Sequence, residues 1–189
     1  MRKIIAFMHI SLDGFAAGPN GEMNWIKVDE EIFDHVGQRI SQGDTALYGR
    51  KTYELMEGYW PTAGQQPNAS KHDIEHSKWY AGVHKAVISN SMKGKMIPNT
   101  TIISGDLAAD ISELKQRPGS DILLFGSSTA THALMQLGLL DGYWLFVNPV
   151  VLGQGIQFFD GIKDKVQLRL LSAHAFTCGV TALDYVVER

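Results

Sequence analysis

The chain has 189 residues, with seventeen Lys and Arg against twenty Asp and Glu and a formal charge of −3 at pH 7. That balance offers no bulk attraction for nucleic acid or a membrane surface, and 44% hydrophobic with 20% charged residues excludes a disordered chain or a coiled coil. The single Cys178 excludes an internal disulfide and a cysteine metal cluster, and no apolar run approaches membrane-spanning length, so a cytoplasmic protein of one domain is expected.

Residues 3–10 (Lys-Ile-Ile-Ala-Phe-Met-His-Ile) read as a buried first strand rather than a leader, because Ser11-Leu12-Asp13-Gly14 follows instead of a small-residue cleavage site. Gly18-Pro19-Asn20-Gly21 predicts a tight turn ahead of Trp25, which is expected in the core. Glu30 to Ser41 carries Ile32, Phe33, Val36 and Ile40 at helical spacing. Thr45 to Tyr48 is a short strand leading through Gly49 into a helix over Lys51 to Met56. From Glu57 to Ser77, Gly, Pro, Asn, Gln and His accumulate, and a long surface loop or lid is expected. Strands follow at Lys85 to Ser89, Thr101 to Ser104, Asp121 to Phe125 and Tyr143 to Pro149, with helices over Asp110 to Gln116 and Ser128 to Leu137. Two strands around Gly179 close the chain as an antiparallel hairpin. Strands alternating with helices define an α/β sheet.

Three segments carry candidate chemistry. Gly49-Arg50-Lys51-Thr52 places a glycine, a cationic pair and a hydroxyl at a helix start, where unpaired N–H groups and the helix dipole favour phosphate. Gly126-Ser127-Ser128-Thr129 does the same after the Asp121–Phe125 strand, although a plain Ser N-cap has the same appearance. Ser89-Asn90-Ser91 is a turn whose small polar groups suit a ribose or its 2′-phosphate. The seven histidines are scattered. His72 and His76 stand four apart but in the loop-like region, so no metal site is expected. The aromatic pairs Trp60-Pro61, Trp79-Tyr80 and Tyr143-Trp144 suit either a heterocycle pocket or packing in the core or an interface.

Taken in order, these segments resemble the dihydrofolate reductase fold, and specifically its branch related to the reductase domain of bacterial riboflavin biosynthesis. The resemblance rests on Ser11-Leu12-Asp13-Gly14, the Gly-x-x-Gly-x-x-x-Trp run from Gly18 to Trp25, Gly49-Arg50-Lys51-Thr52, Ser89-Asn90-Ser91, Gly126-Ser127-Ser128, and Asn148-Pro149-Val150-Val151-Leu152-Gly153-Gln154-Gly155 before Phe158-Phe159. It implies a mostly parallel central sheet flanked by helices, with an antiparallel C-terminal hairpin.

The resemblance also implies NADPH as cofactor, with Gly49, Arg50, Lys51, Thr52, Gly126, Ser127, Ser128 and Thr129 at its phosphates. Ser89, Asn90 and Ser91 then fall near adenosine, and Ala6, Asp13, Gly14 and Gly18 near nicotinamide. The family's glycine pair is reduced here to Gly126 followed by serines. A small heterocycle, pyrimidine- or pterin-like, is the implied substrate. The proton donor is left open among Asp29, Glu30 and Asp13, since acids in a first helical turn commonly serve the dipole. No deaminase zinc motif is attached. A homodimer is expected because the strand bearing Trp144 and Phe146 is so apolar, with the interface left unplaced.

Overall fold

The computed structural model describes residues 1–189. Its main sheet contains β1 (Ile4–Ser11), β3 (Thr45–Gly49), β4 (His84–Ile88), β5 (Thr100–Ile103), β6 (Ile122–Phe125), β7 (Gly142–Asn148), β9 (Leu168–Ala175) and β10 (Thr181–Val187). The spatial order is β5-β4-β3-β6-β1-β7-β10-β9. The first six of these in chain order pair in parallel, and β10 turns antiparallel to β7 and β9 to β10, as the hairpin reading expects. Because β1 pairs with both β6 and β7 while the chain after it crosses to β3, the topology reverses direction beside β1. In open α/β sheets, such reversals open a crevice at the strands' carboxyl ends.

Strand alternation divides the core into two layers. Ile5, Leu123, Phe125, Trp144 and Phe146 face α1 (Glu30–Ile40), α2 (Arg50–Glu57) and α4 (Lys71–Gly82). Ile4, Ala6, Leu124, Tyr143 and Leu145 face α5 (Leu107–Gln116) and α6 (Ser128–Gln136). Each fully buried Leu, Ile or Phe contributes roughly 1.5–3 kcal/mol of transfer free energy. Trp144 and Phe146 are sealed in the first layer, with the Arg39 guanidinium 4.4 Å over the Trp144 ring and paired to Asp184 at 2.9 Å. They therefore offer no surface to a second subunit, and the apolar character of this strand is accounted for by the core.

The segment from Glu57 to Ser77 also departs from the expected loop. It holds a short helix, α3 (Trp60–Ala63), and the first half of α4. A capping box starts α4: Ser70 Oγ accepts from Asp73 N–H at 3.1 Å, and Asp73 Oδ2 accepts from Ser70 N–H at 2.9 Å. Its inward stripe is aromatic rather than aliphatic, with His76 and Tyr80 buried. His72 and His76 thus lie on a helix, the His76 ring tilted against Trp60 with centroids 3.9 Å apart and no third ligand beside them. Asp106 caps α5 through Ala108 and Ala109 N–H and moves its start to Leu107. At the opposite end of the sheet from the crevice, Asp141 accepts from Ile4 N–H (2.8 Å), Lys115 Nζ (2.6 Å) and Arg189 (3.1 Å). Lys115 itself is almost wholly buried. No helix is long and apolar enough to cross a membrane.

Candidate active site

Three adjacent strand ends bring the candidate phosphate-binding segments to one side of the crevice. Gly49 ends β3 and stands before α2 with no side-chain cap, leaving the first-turn N–H groups of α2 open. Next to it, β6 ends at Phe125 and Gly126 takes φ 57°, a left-handed turn suited to glycine. A Cβ on Gly126 would meet Thr52 Cγ2 at 3.3 Å, and one on Gly49 would collide with Ser127 Oγ. The two helix N-termini are therefore in van der Waals contact, and Gly49, Thr52, Gly126 and Ser127 converge as the sequence implies.

Ser127 is the irregular member. It sits at φ 60°, ψ 83°, a left-handed non-glycine, and its Oγ accepts from Ala130 N–H at 3.3 Å as the N-cap of α6. Ser128 is half-buried and Thr129 exposed. On the other flank β4 ends beside Gly49, which places Ser89, Asn90 and Ser91 next to the head of α2. Ser89 is buried with its Oγ 3.1 Å from that of Ser91. Lys51 is exposed, whereas Arg50 is engaged with Glu54 one turn along its helix at 2.7 and 2.9 Å. That pair is solvent-exposed, so it is worth at most about 1 kcal/mol and yields readily to a bound phosphate.

A cover formed by two loops closes the β1 side. Leu12 N–H donates to Val150 O and Phe158 N–H to Gly14 O, and β2 (Phe15–Ala17) pairs with β8 (Ile156–Gln157). Asp13 clamps them: its carboxylate accepts from Ser11 Oγ (2.6 Å), Gly153 N–H (2.8 Å) and Leu152 N–H (3.1 Å). Gly18 is buried in a turn closed by Glu22, and Trp25, expected in the core, is half-buried and donates to Glu22 O at 3.0 Å. Between this cover and the head of α6 lies an open cavity of about 600 Å³, lined by Ser128, Thr129, His132, Gly153, Gln154 and Gln157 among others. A larger groove of about 770 Å³ runs between α1 and α4, away from the carboxyl ends of the strands and lined by none of the candidate site segments.

None of the three candidate acids is placed as a proton donor. The Ser11 hydroxyl, reinforced by the Gly153 and Leu152 N–H groups, holds the Asp13 pKa down to about 2, so Asp13 is a carboxylate clamp at neutral pH. Asp29 caps α1, accepting from Ile32 N–H at 2.9 Å. Glu30 is exposed on the first turn of α1. Ala6 is 1% exposed and packed in the α6-facing core, so its side chain reaches no ligand.

Two residues that the sequence did not single out for a role stand at the end of β1 instead. Asn148 is fully buried. Its Oδ1 accepts from Lys27 N–H at 2.8 Å, and its Nδ2 lies 3.1 Å from Phe146 O, 3.3 Å from Ile10 O and 3.4 Å from His9 Nδ1. His9 stacks on Phe146 with centroids 4.9 Å apart, and burial pushes its pKa down to about 4. A histidine and an asparagine at the carboxyl ends of neighbouring strands were the available signal.

A mostly parallel sheet reversing beside β1, with two glycine-headed helices meeting at the reversal, defines the dihydrofolate reductase-like class. The model of the RibD C-terminal domain matches residues 2–182, and the chain belongs to that family. It is 31% identical over 186 residues to the uncharacterized protein YyaP of Bacillus subtilis, covering 97% of this chain and 94% of that one. Among solved structures it is similar to RibD of Acinetobacter baumannii (TM-score 0.70, 17% identity), covering all of this chain and 59% of that one. It is also similar to a pyrimidine reductase-like protein of Corynebacterium diphtheriae (TM-score 0.64, 16% identity), covering all of this chain and 92% of that one. At these identities the structural likeness speaks for the fold alone.

Proposed function

We propose that the protein is an NADPH-dependent reductase of a pyrimidine- or pterin-like heterocycle, with reduction of 5-amino-6-(5-phosphoribosylamino)uracil the first activity to test. The observation that carries this reading is the meeting of the α2 and α6 N-termini at the reversal of strand order, where glycines, hydroxyls and open N–H groups converge. These groups fit a dinucleotide phosphate. Gly49, Lys51, Thr52, Gly126, Ser128 and Thr129 would hold it, Ser89 and Arg50 would face the ribose 2′-phosphate, and the Asp13-clamped cover would exclude water. When bound, the cofactor supplies hydride. The chain's own contribution is to orient the ring and the substrate against one another.

The proposal includes a single domain, a small-molecule partner and a cytoplasmic location. It also includes a homodimer, for which edge strand β9 is the supporting surface: it is exposed along nearly its whole length, with Leu170 and Leu171 about half accessible. A second reading, a non-catalytic nucleotide-binding or dimerisation module, is favoured by one observation. The candidate acids serve as clamp, cap and surface, and Ser127 Oγ crowds the cradle at Gly49.

Titration with NADPH and with NADH, followed by quenching of tryptophan emission, separates the readings. Saturable binding that prefers NADPH, with the preference lost in Arg50→Ala, is expected. Binding without turnover of any pyrimidine supports the module, and no binding of either nucleotide at millimolar concentration ends the reductase reading.

A further inference from the structure

His9 lies on the α1-facing side of β1, one alternation beyond Phe7, where the strand runs out from under the helical layer and both side chains are partly rather than fully buried. Its ring is fixed on two sides, stacked on Phe146 (4.9 Å, 28°) and edge-on to Phe7 (5.9 Å, 78°). The contact with Asn148 assigns its tautomer. Lys27 N–H can only donate, so the Asn148 atom 2.8 Å away must be the amide oxygen, which turns the amide nitrogen toward Ile10 O, Phe146 O and His9 Nδ1. An amide nitrogen only donates, so a proton on His9 Nδ1 would face it donor to donor at 3.4 Å, and the proton of the neutral ring is assigned to Nε2. No group of the chain accepts from Nε2, and that atom is not among those sealed from solvent.

We infer that His9 is a substrate-binding residue whose Nε2–H donates to a ring carbonyl of a heterocycle seated between the end of β1 and the first turn of α1. The inference rests on the reductase reading and deepens it, because it names the group on the substrate that the site selects. A rigid neutral N–H donor rewards a carbonyl at that position. An amino group in its place sets donor against donor, the kind of mismatch that discriminates far more strongly than a missing methyl group. The low pKa agrees with the geometry: the ring stays neutral, and the donor stays on Nε2, through the physiological range.

The test has two arms on the full-length protein. In the first, ¹⁵N-histidine NMR at neutral pH reads the tautomer of His9, assigned by its loss in His9→Phe. A pyrrole-like Nε2 and pyridine-like Nδ1 are expected, and the opposite tautomer overturns the inference. In the second, NADP⁺-loaded protein is titrated with 5,6-diaminouracil and with tetraaminopyrimidine, which carries amines where the first carries carbonyls. Wild type should prefer diaminouracil by about tenfold or more. His9→Phe, which retains an aromatic ring to stack on Phe146, should bring the two affinities within roughly threefold. Equal discrimination in wild type and variant, or no binding of diaminouracil to the loaded protein, overturns the role of His9. Neither result touches the cofactor reading, which fails separately if the nicotinamide nucleotides do not bind.

Discussion

Replacing Ser127 by glycine and, separately, by alanine resolves two opposed contributions at the head of α6. Serine is held at φ 60°, ψ 83°, while its Oγ accepts from Ala130 N–H. A left-handed backbone costs a non-glycine residue roughly 1–2 kcal/mol. The serine cap is worth about 1 kcal/mol against alanine and only a few tenths against glycine. Glycine also returns about 0.5–1 kcal/mol of freedom to the unfolded chain. Ser127→Ala keeps the strain and loses the cap, so it should be about 1 kcal/mol less stable than wild type. Ser127→Gly sheds the strain and should lie between level with wild type and about 1 kcal/mol more stable. Urea unfolding followed by tryptophan emission reads the order directly, with m unchanged and midpoints ranked glycine at or above serine, and serine above alanine. In a chain of this length, 1 kcal/mol corresponds to roughly 2–4 °C in Tm. An alanine variant as stable as wild type would refute the cap, and a glycine variant below alanine would refute the strain. The glycine variant also clears the space beside Gly49, and its NADPH affinity should rise several-fold, of the order expected for about 1 kcal/mol.

Asp141→Ala leaves the buried Lys115 ammonium without its carboxylate and should cost about 3–5 kcal/mol, with Tm falling on the order of 10 °C; a loss below about 1 kcal/mol would contradict the pairing. Asp13 titrates near 2 in the folded chain against an ordinary 3.8, so its stabilising effect is complete above about pH 3.8 and lost as pH falls toward 2. Asp13→Asn should flatten the acid limb of stability in that window, and an unchanged limb would show that the clamp is not formed. Burial pushes His76 from 6.5 down to about 3, so the stability that depends on its neutral ring is present above pH 6.5 and drains away as pH falls toward 3. His76→Phe keeps the ring contact with Trp60 and removes the unpartnered Nδ1. It should be equal to wild type or about 1 kcal/mol more stable at pH 7, and the advantage should widen at pH 5.

The strands and the turns that bring Gly49 and Gly126 together were legible because each is written locally. An apolar run of alternating faces, a glycine at its end and a hydroxyl or cation one turn later occupy a dozen contiguous residues. The head of α4 reads as loop although Ser70 and Asp73 spell its capping box, because its buried stripe is built from His76 and Tyr80, whose polarity disguises a helical period. The cover and the His9 end of the crevice were not legible, for a different reason. The partners of Asp13 lie at Leu152 and Gly153, and those of His9 at Phe146 and Asn148. Nothing near Asp13 in sequence, apart from Ser11, says that its carboxylate will be saturated by N–H groups from the far end of the chain. It therefore reads as a free acid until the fold brings those groups to it.

The position of β1 also sets a timetable. Its neighbours are β6 and β7, so Ile4 meets Ile122 and Ile5 meets Gly142, whereas β3, β4 and β5 pair among themselves within a much shorter stretch. At common synthesis rates, β1 waits roughly 6 to 24 s after leaving the ribosome for its first sheet partner. Over that interval Ile4-Ile5-Ala6-Phe7 is an unpaired strand with two bare edges. The nascent chain is therefore most exposed to aggregation, and most in need of chaperones, in the segment that ends as the centre of the sheet.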